Sequence, residues 1–482
     1  MKKLITKLLA VAVLLTSFVL PMASCTQSSK LLRMDEDERA EYFYRLINNN
    51  ANYTASGSMT QTMSMKLDIG SVSYEQVTEA VITFIAERDD MIYLEQVETT
   101  VRTGGELIVI YEDNGYADGM MFSYSKEGKD ESKLKSPITA EEYNAFLAEL
   151  NADSTEIQVG KGYSETMTCV QNEDKTWAAT YEGFTDEGMK PFLEMLEGIE
   201  HAVNAEHKLK DVRLTYHADQ DLYPTDMSIE YLFEETPEAE TPVPEISVRT
   251  EYKGWNNTVL SEAYDVSDFT EVSDLRHIKR FMKALSDRET AEFGKFTVHV
   301  DTKATGDGFD NNVTTDQEVT YKNVNGFTFS LSYDQDGYKY DMDYAKGSMS
   351  VVIRDGSGNQ VHRESTPMTD AEAQMTVAQL VDPEQISGVD IVGVTVRDAE
   401  KGIYRFEMGD AVKHSYEEQY ELAYGAPLKS FDAYCDATVS EGKLLTYTYH
   451  VYTVIELDGE TVATTVDMTV TFSDVTEGGE TV

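Results

Sequence analysis

Histidine and cysteine are the side chains of this chain best suited to chemistry, and their spacing disfavours a metal site. No two of the eight histidines stand three or four positions apart, the spacing at which a helix presents two zinc ligands. His414 and Glu417 have i,i+3 spacing on a predicted helix, but such a pair is more often a surface contact than a ligand set. No histidine flanks Cys169 or Cys435. Both lie in predicted strands, where we expect buried, unreactive thiols; a disulfide between them is the alternative.

Catalytic motifs of other kinds are also missing from the sequence. Gly356-Ser357-Gly358 lacks the Gly-x-Ser-x-Gly spacing of a nucleophile elbow, and no glycine-rich phosphate loop is present. The segment Ser332–Asp343 places oxygen ligands as a calcium loop does, but it begins with Ser, ends with Asp and is flanked by strand patterns. We interpret its Asp336-Gly337 step as a hairpin turn. We therefore expect a protein that is not an enzyme and that holds no cofactor and no metal.

Methionines provide the candidate binding residues. Met59, Met63 and Met65 occupy one face of a predicted strand, and methionine is over-represented on surfaces that accept varied apolar partners. With Phe84 and Met189 they form the predicted ligand-binding set. The alternative is ordinary core packing beneath the helices.

The N-terminus predicts export and a lipid anchor. A basic start precedes the apolar run Leu8–Leu20, which is typical of a secretory signal peptide and short for a membrane span. The following Met22-Ala23-Ser24-Cys25 resembles a bacterial lipobox, although Met22 stands where that pattern usually has Leu. The resemblance implies cleavage before Cys25 and diacylation of its thiol; an ordinary signal peptide is the alternative. We predict a signal peptide over 1–24, a lipidated tether over 25–33 and a location on the extracytoplasmic face of a bacterial cell membrane.

Charge and composition narrow the choice of partners. The chain has 482 residues, of which 40 are Lys or Arg and 87 are Asp or Glu, so its net charge is −47. Such an acidic chain repels nucleic acid and anionic membrane surfaces. Apolar residues make up 41%, enough for substantial cores in two or three domains. The expected partners are the membrane, through the anchor, and a lipid or other hydrophobic small molecule.

A helix start occurs twice in the chain. Ser136-Pro137-Ile138-Thr139 is followed by Glu142, and Thr366-Pro367-Met368-Thr369 is followed by Glu372. In both, Thr at the N-cap and Glu three positions later form the pattern of a capping box.

The elements around these two starts come in the same order. Each half begins with an amphipathic helix, continues with alternating strands and hairpin signals, has a further helix after the capped one, and closes with a long hairpin. The paired elements are the helices Glu38–Asn48 and Asp274–Leu285, the hairpin signals Asn114-Gly115-Tyr116 and Asp336-Gly337-Tyr338, the later helices Asp186–Val203 and Lys413–Ala423, and the closing strands that begin at Leu209 and Leu428.

This order predicts an α+β fold. We expect two tandem repeats, each a curved antiparallel β-sheet, or half-barrel, packed against a few helices. The predicted repeats cover 34–253 and 274–482, and a linker covers 254–273.

Together with the phrase Asp221-Leu222-Tyr223-Pro224-Thr225-Asp226-Met227 before a strand, the order of elements resembles the LolA/LppX-type lipoprotein superfamily, in its uncharacterised Gram-positive branch, as a tandem duplication. The resemblance implies a half-barrel whose concave side is plugged by helices, with a cavity that takes acyl chains in characterised members. That family has no catalytic motif, so only Cys25 carries over as a functional residue.

The predicted function is that of a membrane-anchored extracytoplasmic lipoprotein that binds an apolar or amphiphilic ligand, without catalysis, in a cavity between sheet and helices. The alternative is a structural or protein-interaction surface lipoprotein with fully packed domains. An apolar cavity of several hundred cubic ångströms would favour the first of these.

Overall fold

A computed structural model describes residues 30–52, 56–69, 72–86, 91–103, 105–150, 157–196, 207–234, 242–258, 265–291, 293–306, 309–323, 326–457 and 459–473. The predicted signal peptide and Cys25 lie outside the described residues. The described part of the chain forms six helices: α1 (Glu36–Asn52), α2 (Ala140–Leu150), α3 (Asp186–Glu194), α4 (Leu275–Thr290), α5 (Asp370–Val381) and α6 (Asp410–Tyr424).

Strands dominate both halves of the chain. In the first half they are β1 (Ser56–Ile69), β2 (Val72–Ala86), β3 (Met91–Thr103), β4 (Glu106–Ala117), β5 (Met120–Glu127), β6 (Asp130–Pro137), β7 (Ser164–Gln171), β8 (Trp177–Phe184), β9 (Leu209–Ala218), β10 (Pro224–Phe233) and β11 (Glu245–Lys253). After the short β12 (Thr270–Glu271), the second half contains β13 (Phe293–Gly306), β14 (Phe309–Asn323), β15 (Phe327–Gln335), β16 (Tyr338–Ala345), β17 (Ser348–Arg354), β18 (Gln360–Pro367), β19 (Ile391–Asp398), β20 (Ile403–Met408), β21 (Leu428–Ser440), β22 (Lys443–Leu457) and β23 (Glu460–Ser473).

The chain divides into two compact units. Unit 1 comprises Met1–Lys129 and Pro137–Phe269, and unit 2 comprises Asp130–Ser136 and Thr270–Val482. The break between Phe269 and Thr270 falls inside the predicted linker. The grouping of Asp130–Ser136 with unit 2 differs from the continuous repeats predicted from sequence.

Each unit contains a large sheet with antiparallel neighbours. The strand order is β5-β4-β3-β2-β1-β11-β10-β9-β8-β7 in unit 1 and β18-β17-β16-β15-β14-β13-β23-β22-β21-β20-β19 in unit 2. In both, the first long strand pairs with the last, as Met63 with Val248 in β1 and β11 and Val298 with Val470 in β13 and β23. The only parallel pair among the described strands is β6 with β12, inside unit 2. The prediction of a mainly antiparallel α+β fold is confirmed.

The two capping boxes are confirmed in detail. At α2 the backbone N–H of Glu142 donates to Thr139 Oγ1 over 3.2 Å, and the backbone N–H of Thr139 donates to the Glu142 carboxylate over 3.0 Å. At α5 the same two bonds join Thr369 and Glu372, at 3.2 and 2.8 Å. Each box satisfies backbone donors that the first turn of a helix leaves without intrahelical partners.

One predicted hairpin is wrong. Residues 114–116 lie inside β4, and the turn comes later, at Asp118 and Gly119. Gly115 is required for packing, not for a turn: a Cβ on it would lie 2.2 Å from the Phe122 ring and 2.5 Å from the Tyr93 carbonyl oxygen. The other predicted turn is confirmed, because Asp336 and Gly337 join β15 to β16 with φ of 54° and 79°.

The core of unit 1 lies between the sheet and α1. The predicted apolar stripe of α1 is confirmed, since Ala40, Phe43 and Ile47 are fully buried. Phe43 contacts Trp177 of β8, with ring centroids 6.2 Å apart, and the Tyr181 hydroxyl donates to the Ala40 carbonyl oxygen over 2.9 Å. Leu31, inside the predicted tether, is also fully buried and belongs to this core.

Candidate functional site

The predicted methionine set divides between core and periphery. Met63 and Met65 are buried members of the unit 1 core, and Met189 of α3 packs against that core while partly exposed. Met59 is partly exposed and lies opposite Ile82 in the register of β1 and β2. Phe84 is buried in β2, opposite Gly57. The fold therefore brings Met63, Met65 and Met189 to one core and leaves Met59 and Phe84 farther along the sheet. Their role in binding a ligand stays a prediction.

The two cysteines inside the described chain are buried free thiols. Burial raises the pKa of Cys169 from 9.0 to about 12, even though the Arg39 guanidinium lowers it. Burial also raises the pKa of Cys435 well above 9.0. Neither side chain forms the thiolate that nucleophilic chemistry or metal binding needs at neutral pH.

Four histidines of the described residues pair with carboxylates. His217–Asp226, His299–Asp316 and His450–Asp467 are direct cross-strand pairs with Nδ1–Oδ1 distances of 2.7, 2.6 and 2.5 Å. His414 bonds to Asp130, also at 2.5 Å. Across the described residues, no three His, Cys, Asp or Glu side chains converge to hold a metal ion. These histidines therefore serve as hydrogen-bond partners of carboxylates, three of them across strands and one on α6.

Unit 2 contains a cleft of about 640 Å3 between α6 and β21. The cleft is bordered by the end of β20, the first turn of α6 and the beginning of β21, with one residue from β19. Its lining residues are Val392, Met408, Gly409, Asp410, Lys413, Leu428, Lys429, Ser430, Phe431, Asp432 and Ala433. A volume of this size is within the range of ligand pockets.

The first turn of α6 is placed by close packing against β19. The backbone N–H of Gly409 donates to the Asp390 carbonyl oxygen over 2.8 Å, which fixes the point where the chain leaves β20 for the helix. A Cβ on Gly409 would lie 2.4 Å from Val392 Cγ1, so only glycine allows this approach. On the other side, Tyr416 of α6 packs on Phe431 of β21, with ring centroids 5.6 Å apart.

The beginning of β21 has a strand on one side only. β21 pairs with β22 along its length, from Leu428 to Ser440. On its other side it pairs with β20 only from Tyr434 to Thr438, because β20 ends at Met408 and the chain turns into α6. In the described part of unit 2, no strand lies against Leu428–Ala433 on the cleft side.

The cleft combines apolar surface with both signs of charge. Val392, Leu428 and Phe431 provide aliphatic and aromatic surface, with Phe431 turned toward the helix by its contact with Tyr416. Lys413 and Lys429 are ion-paired at 3.7 Å to Glu417 and at 3.3 Å to Glu456, with about half of each lysine side chain exposed. Such exposed pairs are weak, so both lysines remain able to exchange their partner for a ligand carboxylate.

The corresponding edge in unit 1 is closed by a side chain. β9 pairs with β8 from Ala218 to Leu214, and the Asp211 carboxylate then accepts hydrogen bonds from the backbone N–H groups of Gly183 and Phe184, at 2.8 and 3.1 Å. This carboxylate holds the last residues of β8 against β9 beyond the last backbone pair. In the described part of unit 2, no side chain bonds to the backbone of Leu428–Ala433 in this way.

The sequence prediction missed the cleft residues. The predicted helix Lys413–Ala423 and the predicted strand beginning at Leu428 correspond to the two elements that border the cleft. The alternation of residues within each element does not indicate that β20 ends before it reaches the first six residues of β21. The only local signal is Gly409, at the junction of a strand and a helix.

Comparisons with known proteins leave the family open. No protein-family model and no curated protein sequence matches the chain. Among solved structures, the chain is similar to the YwiB protein of Bacillus subtilis at 12% identity and a TM-score of 0.13, over 37% of this chain and 92% of that one. It is also similar to a putative AttH from Nitrosomonas europaea at 10% identity and a TM-score of 0.11, over 86% of this chain and 92% of that one. A transferrin binding protein B mutant from Haemophilus parasuis is similar at 6% identity and a TM-score of 0.15, over 86% of this chain and 76% of that one. Likeness at this level carries no argument about fold or function.

No helix in the described residues is long and apolar enough to cross a membrane.

Proposed function

We propose that this protein is a membrane-anchored extracytoplasmic lipoprotein that binds an apolar or amphiphilic ligand, without catalysis, in the unit 2 cleft. The observation that carries the proposal is the cleft itself: about 640 Å3 of space between a helix and a sheet, with a mainly polar surface, a few apolar side chains and two half-exposed lysines. A cleft of this volume in which apolar side chains stand beside charged groups suits an amphiphilic ligand.

The proposal includes two tandem repeats with different roles, a structural role for unit 1 and ligand binding for unit 2. The ten strands of the unit 1 sheet have the same order as ten of the eleven strands of the unit 2 sheet, with β18 as the addition. Each unit also has an amphipathic helix before its first long strand and a capping box at the corresponding helix. These features support a tandem duplication of the half-barrel type that the LolA/LppX resemblance implies. In unit 1 the methionines Met63 and Met65 fill the core, which supports a structural role for that unit.

The anchor is tested by incorporation of labelled palmitate in a bacterial host. We expect label on the full chain and none on the Cys25→Ala variant, because Cys25 provides the only thiol of the lipobox. Equal labelling of the two proteins would contradict the anchor. Cys169→Ala is the matched control and should be labelled like the parent chain, since its thiol is buried.

Ligand binding is tested with the fluorescent dye 1-anilinonaphthalene-8-sulfonate, whose emission rises in apolar clefts, and by native mass spectrometry for co-purifying molecules. Ser430→Trp places a large ring in the cleft, whereas Ser440→Trp places the same ring at the far end of β21. We expect the first variant to lose dye binding and any bound mass, and the second to keep both. Equal dye binding by the two variants, or none by the parent chain, would refute a cleft ligand.

A further inference from the structure

The geometry points to an extended peptide as the ligand of the unit 2 cleft: we propose that a peptide strand adds to the cleft-side edge of β21 at Leu428–Ala433. This inference rests on the proposed function and names the class of its ligand. It depends on three features of the cleft, which are the open strand edge, the apolar side chains of Val392, Leu428 and Phe431, and the lysines.

The open edge provides the main-chain contacts. In an antiparallel sheet every second residue points its N–H and C=O toward the same neighbour. Along Leu428–Ala433 the groups directed away from β22 face the cleft, with no strand against them in the described chain. Backbone polar groups of this kind require partners, and an extended peptide supplies donors and acceptors at the matching spacing.

The position of the edge favours a peptide over a compact small molecule. The added strand would continue the line of β20, which pairs with β21 as far as Tyr434 and then stops. Six residues of open edge correspond to about 20 Å at roughly 3.3 Å per residue. A cleft that follows a strand for this distance suits an elongated chain.

Side chains of the cleft indicate which peptide fits. On the helix side of β21, Leu428 and Phe431 offer apolar contacts, and Val392 adds to them from β19. Lys413, on α6, favours an acidic residue among the inward-facing positions, and Lys429 favours a second acid nearby. Asp432 is exposed near the two lysines, and its negative charge disfavours a peptide with several acidic residues. The expected ligand therefore alternates apolar and polar residues and carries one or two acids.

The comparison with unit 1 supports this assignment. There the Asp211 carboxylate bonds to the backbone N–H groups of Gly183 and Phe184 and so closes the end of the β8–β9 pair. Open edges promote unwanted pairing, and proteins usually block them. In unit 2 the open edge lies inside the cleft, beside the first turn of α6.

The test uses the full chain and a synthetic seven-residue peptide, acetylated and amidated, in which Val alternates with Thr and one Thr is replaced by Glu. Two further versions carry N-methyl groups on alternate residues, one on the odd and one on the even positions. Since alternate N–H groups point to opposite edges of a strand, we expect one N-methylated version to bind about tenfold more weakly or worse, and the other to bind like the parent peptide. Amide hydrogen exchange should slow at Leu428–Ala433 when the parent peptide binds.

Two variants check the site and the charge. Ser430→Trp should abolish peptide binding, and Lys413→Glu should weaken the peptide that contains Glu but not an all-Thr version. Lys401→Glu, at an exposed lysine paired with Asp398, is the matched control and should leave both affinities unchanged.

Dye binding in the cleft without peptide binding would overturn this inference and leave the proposed function intact. Equal binding of both N-methylated peptides, or no protection at Leu428–Ala433, would also overturn it. If the parent chain did not bind the dye, the proposed function itself would be overturned.

Discussion

Asp130 Oδ1 and His414 Nδ1 lie 2.5 Å apart, although 284 positions separate these residues in the chain. The contact joins β6 to α6 within unit 2. Other bonds hold the same segment there: the Ser132 hydroxyl donates to the Ile391 carbonyl oxygen over 2.7 Å, and the backbone N–H of Leu275 donates to Ser136 Oγ over 3.0 Å. A strand from the first half of the sequence is thus part of the compact structure built by the second half.

The Asp130–His414 pair should contribute to the stability of unit 2. Both side chains are mostly buried, so we expect a double-mutant cycle of Asp130→Ala and His414→Ala to give a coupling free energy of about 0.5–1 kcal/mol by denaturant unfolding. The exposed pair His299–Asp316 is the control and should couple more weakly. Additive effects of the two substitutions at Asp130 and His414 would contradict the prediction.

Gly115 should tolerate no side chain. A methyl group there meets the Phe122 ring at 2.2 Å, so we expect Gly115→Ala to lower the free energy of unfolding by about 1–3 kcal/mol. Gly162→Ala is the matched control, because nothing lies within 4 Å of its Cβ position and its φ is not positive. The two variants are compared by chemical denaturation, and similar stabilities would show that Gly115 is not constrained by Phe122.

The two capping boxes should contribute similar free energies. Thr139→Ala and Thr369→Ala each remove one N-cap acceptor, and we expect each to cost about 1 kcal/mol of stability. Thr168→Ala, at an exposed strand position, controls for loss of a threonine side chain. Thermal unfolding followed by circular dichroism measures all three. A cap variant as stable as the parent chain would argue against the capping box at that helix.

Stability should fall at alkaline pH. Burial raises the pKa of Tyr321 to about 12, and burial also holds the pKa of Tyr181, Tyr216 and Tyr447 well above 10.0. As the pH rises through 10, the unfolded chain loses phenolic protons that the folded protein keeps, so the free energy of unfolding decreases with pH. Each such group contributes up to about 1.4 kcal/mol per pH unit.

Denaturant unfolding at a series of pH values checks this slope, with tyrosinate absorbance as a second signal. Tyr181→Phe should reduce the slope above pH 10, whereas Tyr338→Phe, at an exposed tyrosine, should leave it unchanged. A free energy of unfolding that stays constant up to pH 12 would show that the tyrosines titrate in the folded protein.

Local patterns of the sequence predicted most elements of the fold. The amphipathic stripe of α1, the capping boxes at Thr139 and Thr369, and the Asp336-Gly337 turn depend on residues within a few positions of one another, and each is confirmed. The hairpin assigned to Asn114-Gly115-Tyr116 failed because a glycine can serve a turn or a close approach. The nearby ring of Phe122, on the neighbouring strand, decides between them.

Local sequence patterns could not predict the candidate site. Sequence alone places a helix and a strand on either side of the unit 2 cleft, but the cleft exists because β20 ends at Met408 while β21 continues past it to Leu428. Of the methionines chosen for their residue type, Met63, Met65 and Met189 lie in or beside the core of unit 1, and Met59 lies farther along the sheet.

By itself, then, the sequence determined the α+β composition, the antiparallel pairing, the helix starts and the acidic surface, because alternation, capping and charge are properties of neighbouring residues. Only the tertiary structure decided that Asp130–Ser136 joins unit 2 and that Leu428–Ala433 keeps an open edge. Both depend on which distant strands meet, and the free energy of such contacts comes from packing and hydrogen bonds between segments that no local pattern connects.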